Sequence, residues 1–141
     1  VEDMCVGPGR NAMNGGEFLV SIKLPLKNSS FSASYERFIP RNEMDIAVAA
    51  VASSVSLEDG KIASCRIALA AVGPTPIFAE EASKLLVGKE PSEENIKNAS
   101  NKAKELASPI SDMRGTVEHR KDLIEVLTRR TLSKAVERVG V

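Results

Sequence analysis

Two apolar arms separated by three residues constrain this chain more than any other feature. Residues 45–57 read DIAVAAVASSVSL, residues 61–72 read KIASCRIALAAV, and between them stands EDG. Asp59 and Gly60 suit the positive backbone angles of a tight hairpin turn, so the arms are expected to pair antiparallel. In the second arm Cys65, Ile67, Leu69 and Ala71 share one face and Arg66 points the other way. In the first arm the bulky residues change phase, Ile46 and Val48 and then Val51, Val55 and Leu57, which predicts a bulge near Ala49. The opposite faces hold Ala47, Ala68 and Ala70 in place of charges, so both sides of the hairpin are expected to be at least partly covered.

Extended segments precede the hairpin and helical ones follow it. EFLVSIKLP alternates through Phe18, Val20, Ile22 and Leu24 and reads as a short strand ended by Pro25. Residues 31–39 place Phe31, Ala33, Tyr35 and Arg37 on one face of a second strand. After Pro74 and Pro76 the period becomes helical. Residues 79–87 set Ala82, Leu85 and Leu86 on one stripe, with Gly88 as a stop. Ser92 then caps a helix striped by Ile96, Ala99, Ala103 and Leu106, with Glu93 and Glu94 in its first turn. A last helix, residues 116–139, carries Val117, Ile124, Leu127, Ala135 and Val139 on one broad face. Arg120 projects onto that apolar face and needs a partner, for which Asp112 stands nearest in sequence. Strands first and helices after predict an α+β layer: a small antiparallel sheet of three to four strands packed against about three helices.

The 141 residues, 43% of them apolar, suffice for one domain with a core. The 19 basic and 19 acidic residues cancel, which removes global charge as an argument for nucleic acid or an anionic membrane. Cys5 and Cys65 form neither a disulfide framework nor a thiolate cluster, so a reducing, cytoplasmic setting is expected. No membrane span and no signal peptide is visible. The chain opens with Val1 rather than Met, as a fragment or processed product would.

Little supports a catalytic centre or a metal site. His119 is the sole histidine, without a second imidazole or a neighbouring nucleophile, and a solvated surface role fits it better. GPGR in GPGRNAMNGG lacks the Lys and Ser or Thr of a nucleotide loop and reads as a turn. Residues 114–138 hold seven Lys and Arg against four Asp and Glu, but no aromatics that would stack bases. The stretch YERFIPRNEMDIAVAA, residues 35–50, differs from these. Its charges cease at Asp45, where an apolar run begins, and Arg37, Arg41 and Asp45 cluster on one loop. A salt-bridged loop and a polar-ligand site are both open on this pattern.

Three ordered blocks then carry a resemblance: YERFIPRNEMDIAVAAVASSVSLEDGKI, RIALAAVGPTPIFAEEA and SPISDMRGTVEHRKDLIEVLTRRTL. Together they resemble the C-terminal domain of the FAD-binding medium subunit of molybdenum hydroxylases, the carbon monoxide dehydrogenase and xanthine dehydrogenase family. The resemblance implies an α+β C-terminal domain over residues 28–141, with residues 1–27 the tail segment of an upstream FAD-binding domain. It implies an electron-transfer subunit whose partners are a molybdenum-containing large subunit and an iron-sulfur small subunit. FAD would be shared with the upstream domain, while the molybdenum cofactor and iron-sulfur clusters belong to the partners.

Residue by residue, Arg37 matches a Lys or Arg position near the flavin, Asp45 an acidic position at the flavin edge, and Ile46 a residue able to cover one ring face. Arg41 matches a basic position. Asp112, Arg114 and Arg120 match recurring positions, with His119 where Tyr is commoner, and this block is assigned to domain packing or subunit contact. No catalytic residue and no metal ligand is implied. The family's glycine-rich FAD loops have no counterpart here, so the chain by itself is expected to hold FAD weakly and to be inactive. The alternative is a non-catalytic interaction or dimerisation module, using the Ala-rich second sheet face and the basic helix as its surface.

Overall fold

The computed structural model describes residues 2–24, 29–41 and 44–139. A small two-stranded ribbon, β1 Cys5–Gly7 and β2 Arg10–Asn11, comes first, and GPGR forms the turn between its strands. β3 Phe31–Phe38, β4 Ala49–Glu58, β5 Lys61–Ala70 and β6 Ile77–Phe78 then form an antiparallel sheet in the order β3-β4-β5-β6. Helices α1 Glu80–Lys84, α2 Glu93–Leu106 and α3 Val117–Glu137 complete the α+β layer. α3 packs across β3 and β4, and α2 packs on α3.

The β4–β5 turn has the chemistry expected of it: Asp59 and Gly60 adopt φ values of 50° and 75°. The bulge expected near Ala49 is absent. Pairing of β3 with β4 runs unbroken from Phe38↔Ala49 to Phe31↔Ser56, and the irregularity lies instead between Ser56 and Leu57. Ile46 and Val48 precede the strand, so their change of phase marks its beginning rather than a defect inside it. Ala71, expected on the core face, has left the sheet at φ 63° and is exposed.

Val51, Val55, Cys65, Ile67 and Leu69 are buried on the helix-facing side together with Ile96, Ala99, Ala103, Ile124, Leu127, Leu132 and Ala135. That registry follows from the period-two strands and the helical stripes. Burial pushes the Cys65 thiol up to about 12, which leaves it a packing residue. Ser92 and Thr116 cap α2 and α3, accepting from the amides of Asn95 and His119. α1 is shorter than residues 79–87, because residues 85–89 turn back onto the start of β5. There the Gly88 amide donates to the Ile62 carbonyl at 2.8 Å and the Ile62 amide to the Lys89 carbonyl at 2.9 Å. Leu85 is partly exposed there, while Ala82 and Leu86 are buried.

Residues 17–24 are not a strand. Their alternation is suited to one, but no described residue pairs with them, and a strand exists only through its ladder. Phe18, Leu19, Val20, Ile22 and Leu24 are consequently exposed. Pro25 and the domain boundary expected at 27/28 lie outside the described residues. Among the described residues no helix is long and apolar enough to cross a membrane.

Candidate functional site

The connection between β3 and β4, residues 39–48, is closed at its base, where the Val48 amide donates to the Phe38 carbonyl at 2.9 Å. Within it Asp45 is turned inward, its side chain only 5% exposed. One carboxylate oxygen accepts from the Ile46 amide at 2.9 Å, and the other from the Arg41 amide at 3.1 Å, with the Arg41 Nε 3.5 Å away. Withdrawal from water pushes the Asp45 pKa up, but the two amides and the Arg41 guanidinium outweigh it and the net direction is down. The carboxylate therefore stays ionised and shapes the loop.

Its neighbours point outward. Ile46 is 64% exposed, Met44 is almost fully exposed at φ 50°, and the Arg41 side chain is largely in solvent. Arg37 stands on β3 opposite Ala50, on the sheet face away from the helices and next to the strand end. The structure thus brings Arg37, Asp45 and Ile46 to one end of the sheet, with Arg41 beside them. Arg37, Arg41 and Ile46 are exposed there, and the Asp45 carboxylate is turned inward. That arrangement suits a flat apolar ring with a negatively charged edge.

A groove of about 650 Å³ runs along the same sheet face. Tyr35, Ala52, Arg66, Ala68 and Phe78 line it, and the Arg66 guanidinium lies 4.3 Å from the Phe78 ring centroid. Glu2, from the N-terminal segment, is ion-paired with Arg66. The Ala-rich face is otherwise open, with Ala68 exposed, so the cover expected over it is not supplied by the described residues. GPGR is an exposed turn, with Gly9 at φ 64°. Among the described residues no group of three His, Cys, Asp or Glu side chains could hold a metal ion.

Arg120 carries information that sequence reasoning captured only in part. Its pairing with Asp112 is as expected, Nη2 to Oδ1 at 2.7 Å. Its Nη1 also donates to the carbonyls of Val48 at 2.8 Å and Ala71 at 3.3 Å. The only sequence signal for these contacts is a guanidinium on an apolar stripe, which demands acceptors without saying which. His119 meets Phe38 edge-on, with ring centroids 6.0 Å apart, and remains exposed.

Residues 34–135 match the family described as CO dehydrogenase flavoprotein C-terminal domain. The chain is 34% identical over 127 residues to the carbon monoxide dehydrogenase medium chain of Afipia carboxidovorans, covering 90% of this chain and 44% of that protein. It is 31% identical over 124 residues to the 6-hydroxypseudooxynicotine dehydrogenase complex subunit alpha of Paenarthrobacter nicotinovorans, covering 87% and 42% respectively. The solved structure of reconstituted CO dehydrogenase from Oligotropha carboxidovorans matches with a TM-score of 0.91 at 33% identity, over 97% of this chain and 48% of that one. The chain spans slightly less than half the length of these relatives. Fold and sequence agree, and the chain belongs to the CO dehydrogenase flavoprotein C-terminal domain family.

Proposed function

We propose that this chain is the C-terminal part of the FAD-binding electron-transfer subunit of a cytoplasmic molybdenum hydroxylase, and that its β3–β4 loop completes the flavin site. The observation that carries this reading is Ile46, 64% exposed next to an inward carboxylate, at the end of the sheet where Arg37 and Arg41 also stand. An aliphatic group held in water is at a disadvantage that contact with a ring face removes. The medium-chain name of the Afipia carboxidovorans relative supports the same class.

FAD, when bound, supplies one- and two-electron transfer. In this reading Ile46 covers a face of the ring, Arg37 stabilises negative charge on it, and Asp45 fixes the backbone between Arg41 and Ile46. The phosphates need donors from elsewhere, because no described loop of this chain presents a cradle for them. Residues 1–27 are read as the tail of the upstream FAD-binding domain that would provide one. In that reading the exposed run from Phe18 to Leu24 is a strand awaiting that domain's sheet. The large and small partner subunits would carry the molybdenum cofactor and the iron-sulfur clusters. The second reading, a non-catalytic interaction or dimerisation module, is favoured by the same exposed run and by the groove on the open sheet face.

The two readings part on the flavin itself. In the FAD-loaded holoenzyme, Ile46→Ala and Arg37→Ala are each expected to weaken FAD retention about tenfold, equivalent to about 1.4 kcal/mol. Arg37→Ala should also lower the flavin reduction potential, since a cation favours the reduced anion. Unchanged retention and potential in both variants would remove the flavin reading and leave the interaction module.

A further inference from the structure

We propose that Arg120 is a positioning residue for the flavin-facing loop, acting through the Val48 and Ala71 carbonyls; this rests on the flavin reading above. Arg120 is 5% exposed and lies in the first turns of α3. The two carbonyls it holds share one property: both residues lie just outside the sheet ladder. Val48 is the last loop residue before β4, and Ala71 is the first after β5, in a left-handed conformation. The Val48 amide is already committed to Phe38, and Arg120 fixes the carbonyl of the same residue, so both peptide groups flanking Val48 are held, two residues from Ile46.

The surroundings of Arg120 hold the same base from a second direction. The backbones of Asp112 and Gly115 bond each other in both directions, at 3.1 and 3.2 Å. A Cβ at Gly115 would meet the His119 ring at 3.0 Å and Val48 Cγ1 at 3.7 Å. His119 in turn packs edge-on against Phe38, at the opposite foot of the loop. One tight turn and the first turn of one helix therefore hold both feet of the loop that presents Arg37, Asp45 and Ile46.

Stability alone does not account for the guanidinium. Its Nε is buried with no partner among the described residues, and burying a charge in an apolar stripe costs more than a well-packed apolar side chain in the same space. An apolar replacement could fill the volume. It could not hold two carbonyls at a set separation, and a binding constellation must be held within about 0.5 Å of its working geometry.

The test uses the FAD-loaded holoenzyme carrying Arg120→Met, Arg120→Lys or Asp112→Asn, with Leu132→Ala as a core variant away from the loop. FAD dissociation constant and flavin reduction potential are read below the unfolding temperature of each protein. Arg120→Met is expected to loosen FAD about tenfold, as loss of an outer support generally does, and to shift the potential. Arg120→Lys should recover part of the affinity, having a charge but a single-point reach. Asp112→Asn, on an accessible turn, should move both readouts in the same direction, less far, and keeps the test alive if Arg120→Met does not fold. Leu132→Ala should unfold at lower temperature yet bind FAD as the unmodified enzyme does. Affinity and potential in Arg120→Met and Asp112→Asn no different from Leu132→Ala would overturn the positioning role. If Ile46→Ala or Arg37→Ala loosens FAD and the Arg120 variants do not, the positioning role alone falls; if Ile46→Ala and Arg37→Ala are both silent, the flavin reading falls and this proposal with it.

Discussion

At the scale of single residues, Asp112 shows how charge and burial combine. The Arg120 guanidinium, the Arg114 amide and both positive charges hold its carboxyl below the usual carboxylate range, against a smaller opposing effect of partial burial. A carboxyl depressed in the folded state stabilises it above the unfolded pKa and stops doing so as pH falls through the folded value. Thermal unfolding should therefore separate the unmodified protein from Asp112→Asn at pH 7, with the gap narrowing as pH drops below 3.8. A gap of constant width down to the acid end would contradict the ion pair. The pairing of Asp112 with Arg120 was readable from sequence because both lie within one short block. The contact of Arg120 with Val48 was not, since 72 residues separate them and no local pattern encodes the meeting. The burial of Asp45 was readable from the switch of charged to apolar residues at that position, whereas its two amide partners were not, because they depend on the path of the loop backbone.

Among the elements, the seam between α3 and the sheet contains two buried threonines one turn apart with opposite prospects. The Thr131 hydroxyl bonds the Ser53 hydroxyl at 2.8 Å and the Leu127 carbonyl at 2.9 Å. The Thr128 hydroxyl is buried with no partner among the described residues. Thr131→Val strands Ser53 and should cost about 1–3 kcal/mol. Thr128→Val removes an unpaired hydroxyl and should be neutral or stabilising by up to about 1 kcal/mol. Chemical denaturation checks the contrast, and equal losses in both variants would contradict it. The β4–β5 hairpin and the capped helices were legible because turn chemistry, capping and period are local properties. The start of β4 was misread, since in an alanine-rich run alternation persists through the loop into the strand. Residues 17–24 were misread for a different reason: a period-two pattern identifies a chain able to join a sheet, and the sheet itself must come from somewhere.

For the whole molecule, one face of the sheet is closed by helices and the other carries a groove, with the loop of residues 39–48 at the end where β3 meets β4. The α+β layering was legible from the order of strand and helix patterns. The proposed ring contact rests in the sequence on a change from charged to apolar residues at Asp45 and Ile46, which is why its direct test belongs to the assembled protein. The sequence contains no tryptophan, so a single introduced one reports on its own surroundings within this chain. In the FAD-loaded holoenzyme, Ile46→Trp should quench flavin fluorescence strongly through electron transfer at contact distance. Val87→Trp, placed beside the turn onto the far end of β5, should not. Flavin fluorescence equally bright in both variants would contradict the claim that Ile46 lies against the ring.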